Sequence, residues 1–382
     1  MADPDRLADD MHAAGTLPAA WDRAFRAVPR ARFIPSRMWV DEGGGYQPVD
    51  RAADPQHWRE AVYSDRVIVT QWDDGAAVWP DIGRRPTCSA SMPSAVLGML
   101  DVLDLQPGHR VLEIGTGTGY NAALLAAHVG DHQVTTIEVD PVLAAQARAD
   151  LAAAGYLPTV TCGDGAAGHP PTAPFDRVLA TATVRLGELP YPWVEQTAPG
   201  GRIVVPMRTE ITSGPVVVFT VHADGTATGR AAPVYVGFME LRAQRSPLGD
   251  LSDLRWDDPR ADPRTTELAP WTVFNNLDPR WAVGMRLRGC RWWHWPPTRD
   301  RPHVLWLVDT HSGSWATAAY GRDPGPFTVR QHGPRRLWDE AETAYHGWTQ
   351  AAEPPVEAWE FRITPDRQHH RLTPLTTSKP TR

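Results

Sequence analysis

Residues 113–120 read Glu113-Ile114-Gly115-Thr116-Gly117-Thr118-Gly119-Tyr120, after an apolar β-type run (110–115) and before a helical stretch (121–130). Glycines at such a junction let the backbone turn tightly and let a ligand approach it closely. The spacing is Gly-x-Gly-x-Gly, and it is the context that turns it into a nucleotide site. Glu138 lies 23 residues after Gly115, at the end of the next strand-like run and just before Val139. A carboxylate there accepts both hydroxyls of a ribose. Asp164, in Gly163-Asp164-Gly165, ends a third such run, where an adenine amino group would lie. Glu113 directly before the loop repels a pyrophosphate and suits a cationic amino group, as in the methionyl end of S-adenosylmethionine; a dinucleotide is the alternative. The candidate cofactor contacts are Glu113, Gly115, Thr116, Gly117, Gly119, Tyr120, Glu138, Val139, Asp164, Gly165 and Thr181.

The elements that must hold these residues follow from the pattern. Residues 94–105 have apolar side chains at helical spacing and stop at Pro107-Gly108. From 110 to 207 the chain alternates β, α, β, α, β, loop, β, α, β. Asp140, Pro141 and Gly155 frame the helix 141–155 as N-cap, first residue and stop. That alternation predicts a mostly parallel sheet with right-handed crossovers. Runs at 216–229 and 234–242 around Asp224-Gly225 predict a hairpin at its edge, giving seven strands in all. Before this core, 16–40 reads as a short helix and an Arg-Pro-rich segment, and 41–90 as loop. After it, 246–270 reads as a linker, and 271–364 as a small α+β domain with strands at 281–292, 303–310, 315–322, 327–333 and 358–364 and a helix at 337–352. The tail 365–382 is expected to fray. The divisions are therefore 1–92, 93–245, 246–270, 271–364 and 365–382.

The chain has 382 residues and a net charge of −7, which argues against bulk nucleic-acid binding. No stretch is long and apolar enough for a membrane span, and the acidic start MADPDRLADD is no secretory signal. Three scattered cysteines suggest neither disulfides nor a zinc knot, and no metal site is expected. A cytoplasmic monomer is the expectation. Of 17 Trp, eleven fall in 211–382. Residues 1–210 carry 17 basic and 26 acidic side chains and the remainder 21 and 19, so the two halves differ in chemistry.

Residues 20–242 resemble the protein-L-isoaspartate O-methyltransferases. The resemblance is carried by VPRARFIP (28–35), SASMPSAVLGM (89–99), VLEIGTGTGYNAALLA (111–126), GDG (163–165), APFDRVLATA (173–182) and LPYPWVEQTAPGGRIVVPM (189–207). It implies an α/β, Rossmann-like class I methyltransferase fold, with S-adenosylmethionine as cofactor and S-adenosylhomocysteine as product. Ser89-Ala90-Ser91-Met92-Pro93 stands where the family has its Thr-Ile-Ser-Gln-Pro segment, which assigns Ser91 to the active-site serine and Ser89 to the preceding hydroxyl. Met92 departs from the family's polar residue. Methyl transfer to an ionised carboxylate needs alignment but no general base, and Ser91 would orient the carboxylate by donating a hydrogen bond. A serine there could equally cap the helix that starts near Ser94. Thr181 and Thr183 are secondary candidates.

The chain runs about 140 residues past that resemblance. In this it is similar to actinobacterial members that methylate an Asp side chain of a cyclised, ribosomally made peptide, leading to an aspartimide or isoaspartate. Residues 271–363 mix Trp and Arg, the residue types enriched in binding hot spots; Arg288, Arg291 and Trp293 are candidate contacts to an acidic peptide. These tryptophans could equally form a core. The competing readings are a repair methyltransferase acting on damaged proteins, a small-molecule carboxylate methyltransferase and a non-catalytic S-adenosylmethionine-binding scaffold.

Overall fold

The computed structural model describes residues 3–245, 255–321 and 325–373. They form two compact units: Met1–Pro206 with Val216–Gln244 and Phe361–His369, and Met207–Pro215 with Arg245–Glu360 and His370–Arg382.

The first unit opens with helices α1 (Pro4–Ala13) and α2 (Ala19–Ala27). An antiparallel sheet follows: β1 (Arg37–Asp41), β2 (Tyr46–Asp50), β3 (Ile68–Trp72) and β4 (Pro86–Ala90), in the order β2-β1-β3-β4, with α3 (Pro55–Val62) between β2 and β3 in sequence. Neither α1 nor this sheet follows from the sequence reading, which takes 41–90 as loop. Its strands are five residues each, and glycines and prolines between them hide the alternation. What folds them is a separate small core of Met38, Val40, Val49, Ile68 and Ala90 under Trp58 of α3.

Helix α4 (Pro93–Leu103) leads into the alternating segment. It comprises β5 (Val111–Ile114), α5 (Tyr120–Val129), β6 (Val134–Glu138), α6 (Pro141–Ala154), β7 (Thr159–Cys162), β8 (Phe175–Ala180), β9 (Val184–Arg185), α7 (Tyr191–Glu195) and β10 (Thr197–Arg208). Asp140 starts α6 by accepting from the N–H groups of Val142 and Leu143, and Gly155 ends it in the left-handed region at φ 90°. Strand β5 pairs in parallel with β6 and β8, β6 with β7, and β8 with β10. The order β10-β8-β5-β6-β7 puts the change of winding direction at β5, the place where open α/β sheets bind ligands beyond their carboxyl ends. Leu97, Leu100, Leu124, Leu125, Val111, Leu179 and Val204 belong to the main core.

The hairpin exists as β11 (Ser213–Val221) and β12 (Ala227–Tyr235), so strand structure ends before most of the run read as 234–242. The sheet does not stop at seven strands. It has ten, because β18 (Trp359–Ile363) pairs beside β12, β19 (Gln368–Leu372) beside β18, and β9 beside β10. The segment 358–364, read as the end of the C-terminal domain, and the first part of the tail read as frayed are thus strands of the larger sheet.

The second unit is a five-stranded sheet of order β13-β17-β16-β15-β14. Its elements are β13 (Asp262–Thr266), α8 (Pro270–Phe274), α9 (Leu277–Arg286), β14 (Cys290–Trp295), β15 (His303–Asp309), β16 (Ser314–Tyr320), β17 (Phe327–His332) and α10 (Leu337–Gln350). The segment read as a linker supplies β13, which pairs with β17; its residues 246–254 lie outside the described residues. The run read as a strand at 281–292 begins in helix α9 and reaches strand β14 only at residues 290–292. Trp281, Val283, Met285 and Leu287 alternate as in a strand, but the helix buries residues 281–285 without a break, so no polar stripe marks its period. Both faces of this sheet carry apolar clusters. One holds Phe274, Leu287, Leu305, Leu307 and Trp338, the other Val304, Trp306, Val308 and Trp315.

Candidate active site

The glycine loop leaves β5 with all three glycines in left-handed conformations, at φ 98° for Gly115, 54° for Gly117 and 88° for Gly119. A Cβ on Gly115 would lie 2.8 Å from Thr181 Oγ1, so the loop and the end of β8 approach too closely for any side chain. Thr181 Oγ1 donates to the carbonyls of Gly115 (2.6 Å) and Ile114 (3.1 Å). At the end of β6, Glu138 accepts from the Gly117 N–H (2.9 Å) and the Asp140 N–H (3.0 Å), which turns its carboxylate toward the loop, with Val139 half-buried beside it. Exposed Asp164 accepts from Ala166 N–H after β7, and a Cβ on Gly165 would strike Ile114 at 2.5 Å. These groups converge at the carboxyl ends of neighbouring strands.

Two expected contacts are displaced. Glu113 is fully buried, and both its oxygens are occupied, by Asn121 Nδ2 and Thr136 Oγ1 at 2.6 Å each. Thr116 Oγ1 lies 2.6 Å from Thr136 Oγ1 and continues the chain to the loop. Glu113 therefore holds the loop through Thr136 and Thr116 and does not reach a ligand itself. Burial pushes its carboxyl up to about 7. Tyr120 is also buried, its ring 5.8 Å from Phe33 in the core, so its side chain leaves the site.

The serine segment follows β4. A Cβ on Gly117 would meet Cys88 Sγ at 3.6 Å and the Ser89 carbonyl at 3.8 Å, so this strand lies against the glycine loop. Burial pushes the Cys88 thiol up to about 12, which keeps it protonated and out of nucleophilic chemistry. Ser89 Oγ donates weakly to Met239 Sδ at 3.8 Å. Ser91 and Met92 are half-buried. Ser91 does not cap α4: the helix has no side-chain cap at Met92, and Ser94 N–H is taken by Asp65 Oδ1 at 2.9 Å. Among the described residues no group hydrogen-bonds the Ser91 hydroxyl. Thr183 differs from expectation: it is buried, and its hydroxyl donates to the Phe238 carbonyl at 2.9 Å, which docks the segment 238–241.

Sequence reasoning missed the residues that hold the serine segment. The guanidinium of Arg30 is fully buried and donates to the carbonyls of Val62, Ser64, Arg66, Ala90 and Ser91. Burial lowers its pKa to about 10, so it is cationic at neutral pH. Arg242 joins Asp74 (2.9 Å) and Asp140 (3.9 Å), and Gln71 Nε2 donates to Asp140 Oδ2 (3.0 Å), linking the β3–β4 hairpin to the end of β6. Arg30 lies inside VPRARFIP, but nothing in that string says which carbonyls it would reach.

The remaining candidates belong to the second unit. Arg288 is exposed and Arg291 half-buried. Trp293 is half-buried, with its ring stacked on Trp306 at 5.7 Å and 11°. Adjacent Trp292 points to the other face, with its ring 5.1 Å from Phe274. Each is partly buried against the apolar cluster on its own face of the sheet.

The residues present fit S-adenosylmethionine on two observations: the loop cradle tolerates no Cβ at Gly115, and Asn121 Oδ1 is buried behind the loop without a partner. Among the described residues no group of three His, Cys, Asp or Glu is placed to hold a metal ion, and no helix is long and apolar enough to cross a membrane.

The model of the protein-L-isoaspartate(D-aspartate) O-methyltransferase family matches residues 47–240, just over half of the chain. The chain belongs to that family. Protein-L-isoaspartate O-methyltransferase 1 of Archaeoglobus fulgidus is 44% identical over 205 residues, covering 53% of this chain and 76% of that protein. The Methanopyrus kandleri protein-L-isoaspartate O-methyltransferase is 46% identical over 129 residues, 33% of this chain and 55% of its own. The chain spans between about half and two thirds of the length of the first curated relatives that it matches. A solved structure of a protein named protein-L-isoaspartate O-methyltransferase aligns over 97% of this chain and 99% of its own, with a TM-score of 0.54 at 20% identity. That is a likeness of fold, and it extends over the second unit. The family's matched stretch contains every candidate from Ser89 to Thr183, whereas Arg288, Arg291 and Trp293 lie outside it.

Proposed function

We propose that this chain is a protein-L-isoaspartate O-methyltransferase that methylates the free carboxylate of isoaspartyl residues in damaged proteins, working as a cytoplasmic monomer. The observation that carries the reading is the Ser91 hydroxyl, left without a partner on a strand end that lies against the glycine loop, in a chain that belongs to this family. S-adenosylmethionine would supply an electrophilic methyl group. Gly115, Gly117 and Gly119 make room for it, Glu138 accepts its ribose hydroxyls, and Asp164 meets its adenine. Ser91 donates to one oxygen of the substrate carboxylate and aims the other. The carboxylate is already ionised at neutral pH, so no residue has to remove a proton. The next backbone amide nitrogen then attacks the ester carbonyl and expels methanol, and hydrolysis of the resulting succinimide returns Asp or isoaspartate. Ser91→Ala removes one hydrogen bond to a charged group, worth ~1.5–3 kcal/mol, so kcat should fall by roughly 10- to 150-fold. S-adenosylmethionine affinity, followed by calorimetry, should stay at the wild-type value. An unchanged kcat would refute the role.

A second reading, an enzyme dedicated to an Asp side chain of a ribosomally made acidic peptide, is favoured by the second unit with its own sheet and cores. Fast turnover on a generic isoaspartyl peptide supports repair, and turnover confined to unmodified Asp supports the dedicated enzyme. Cofactor binding with neither activity supports a scaffold.

A further inference from the structure

In the second unit, the helix-covered face of the five-stranded sheet is left open at one end. Register places His294 opposite Leu305 and His303 opposite Tyr320, so all four side chains point to the same face. Trp271 and Asn275, from α8 and its end, stand over them and enclose a cleft of about 570 Å³. Buried Leu305, half-buried Trp292 and Gly321 also line it. The rings of His294, His303 and Tyr320 lie nearly parallel, at 8–27° and 5.0–5.9 Å, and stack on one another. Trp271 tilts against Tyr320 at 5.2 Å and 51°.

We propose that this cleft binds an aromatic side chain of a peptide and the backbone amide next to it. The volume lies in the range of small-ligand sites, and flat walls favour a flat guest. Among the described residues no carboxylate lines the cleft, while Arg280 lies over Trp292 (5.8 Å). A cationic guest therefore finds no counter-charge among the described residues that line it. Burial, then His303 and Arg301, hold the His294 imidazole below its ordinary range, which weakens it as a partner for an anion. His294 Nε2 and His303 Nδ1 share one proton at 2.9 Å. Whichever ring carries it, the two outer nitrogens present one N–H donor and one acceptor. A peptide amide offers the complementary pair, and the Asn275 side chain adds another donor and acceptor.

The choice of a peptide rests on the proposed function, but the cleft is tested apart from methyl transfer. The full chain is titrated by calorimetry with two peptides that lack Asp and isoaspartate and differ only by Tyr or Ala at one position. The Tyr peptide should bind at least tenfold more tightly. Trp271→Ala and His294→Ala should each reduce its affinity to that of the Ala peptide. His294 is exposed, so its variant should melt as the wild type does. Equal affinities for the two peptides would overturn the proposal. So would variants without effect, or tighter binding of a neutral oligosaccharide that the same variants abolish. Loss of all activity toward isoaspartyl peptides, with the Tyr preference intact, would sink the proposed function and leave the cleft standing.

Discussion

At the scale of single residues, two positions carry sharp consequences. Gly115 combines a φ of 98° with a Cβ position 2.8 Å from Thr181 Oγ1. Gly115→Ala is strained by roughly 1–3 kcal/mol and pushes the loop off β8. Its S-adenosylmethionine affinity, measured by calorimetry, should fall at least tenfold. Glu113 is the other. Its carboxyl titrates at about 7 in the folded chain instead of 4.5, because burial disfavours the charge. The folded state therefore holds the proton more tightly than the unfolded one. This group's relative stabilisation is full below pH 4.5 and is lost as pH rises through 7, an effect of about 3 kcal/mol. In urea titrations between pH 5 and 8, Glu113→Gln should flatten the decline that the wild type shows. The glutamate was legible in the sequence as a member of the site. Its role was not, because burial and the Asn121–Thr136 pair that encloses it arise from residues 8 and 23 positions away.

At the scale of elements, Arg30 ties the ends of α3, β3 and β4 together. Its five carbonyl acceptors come from two stretches, 62–66 and 90–91. Arg30→Met leaves these carbonyls without that donor inside the protein. The cost should exceed ~3 kcal/mol in urea unfolding, since each orphaned buried group costs ~1–3 kcal/mol. Elements with their own local signals were readable: Asp140, Pro141 and Gly155 mark α6, and the apolar runs mark β5, β6 and β8. Elements stabilised by distant partners were not. Strands β1–β4 gain their core only when α3 folds over them. Helix α9 has no polar stripe and packs so closely that a Cβ on Gly284 would lie 2.2 Å from Thr209 Oγ1.

At the scale of the whole molecule, the last strands of the described chain, β18 and β19, pair into the ten-stranded sheet. Phe361 and Ile363 on β18 are 2% exposed, and Gln368 bonds both the N–H and the carbonyl of Leu189. A chain cut after residue 245 would therefore lose two strands of the methyltransferase sheet and bare the edge of β12. It should melt well below the full chain and aggregate, as read by thermal denaturation and light scattering. Such a truncation is a poor test of substrate recognition, because it damages the catalytic unit itself.

The serine segment came from the family resemblance, whereas local chemistry was enough to read the glycine loop, the carboxylates that follow successive strands and the alternating α/β order. Each is written in a few neighbouring residues whose backbone needs are specific. Tertiary packing alone made Glu113 and Thr183 internal props, left Ser91 free by giving the start of α4 to Asp65, and stacked Trp293 on Trp306. It also returned β18 and β19 to the first sheet. Those outcomes depend on which distant group arrives to bury or satisfy a side chain, and sequence spacing carries no record of that.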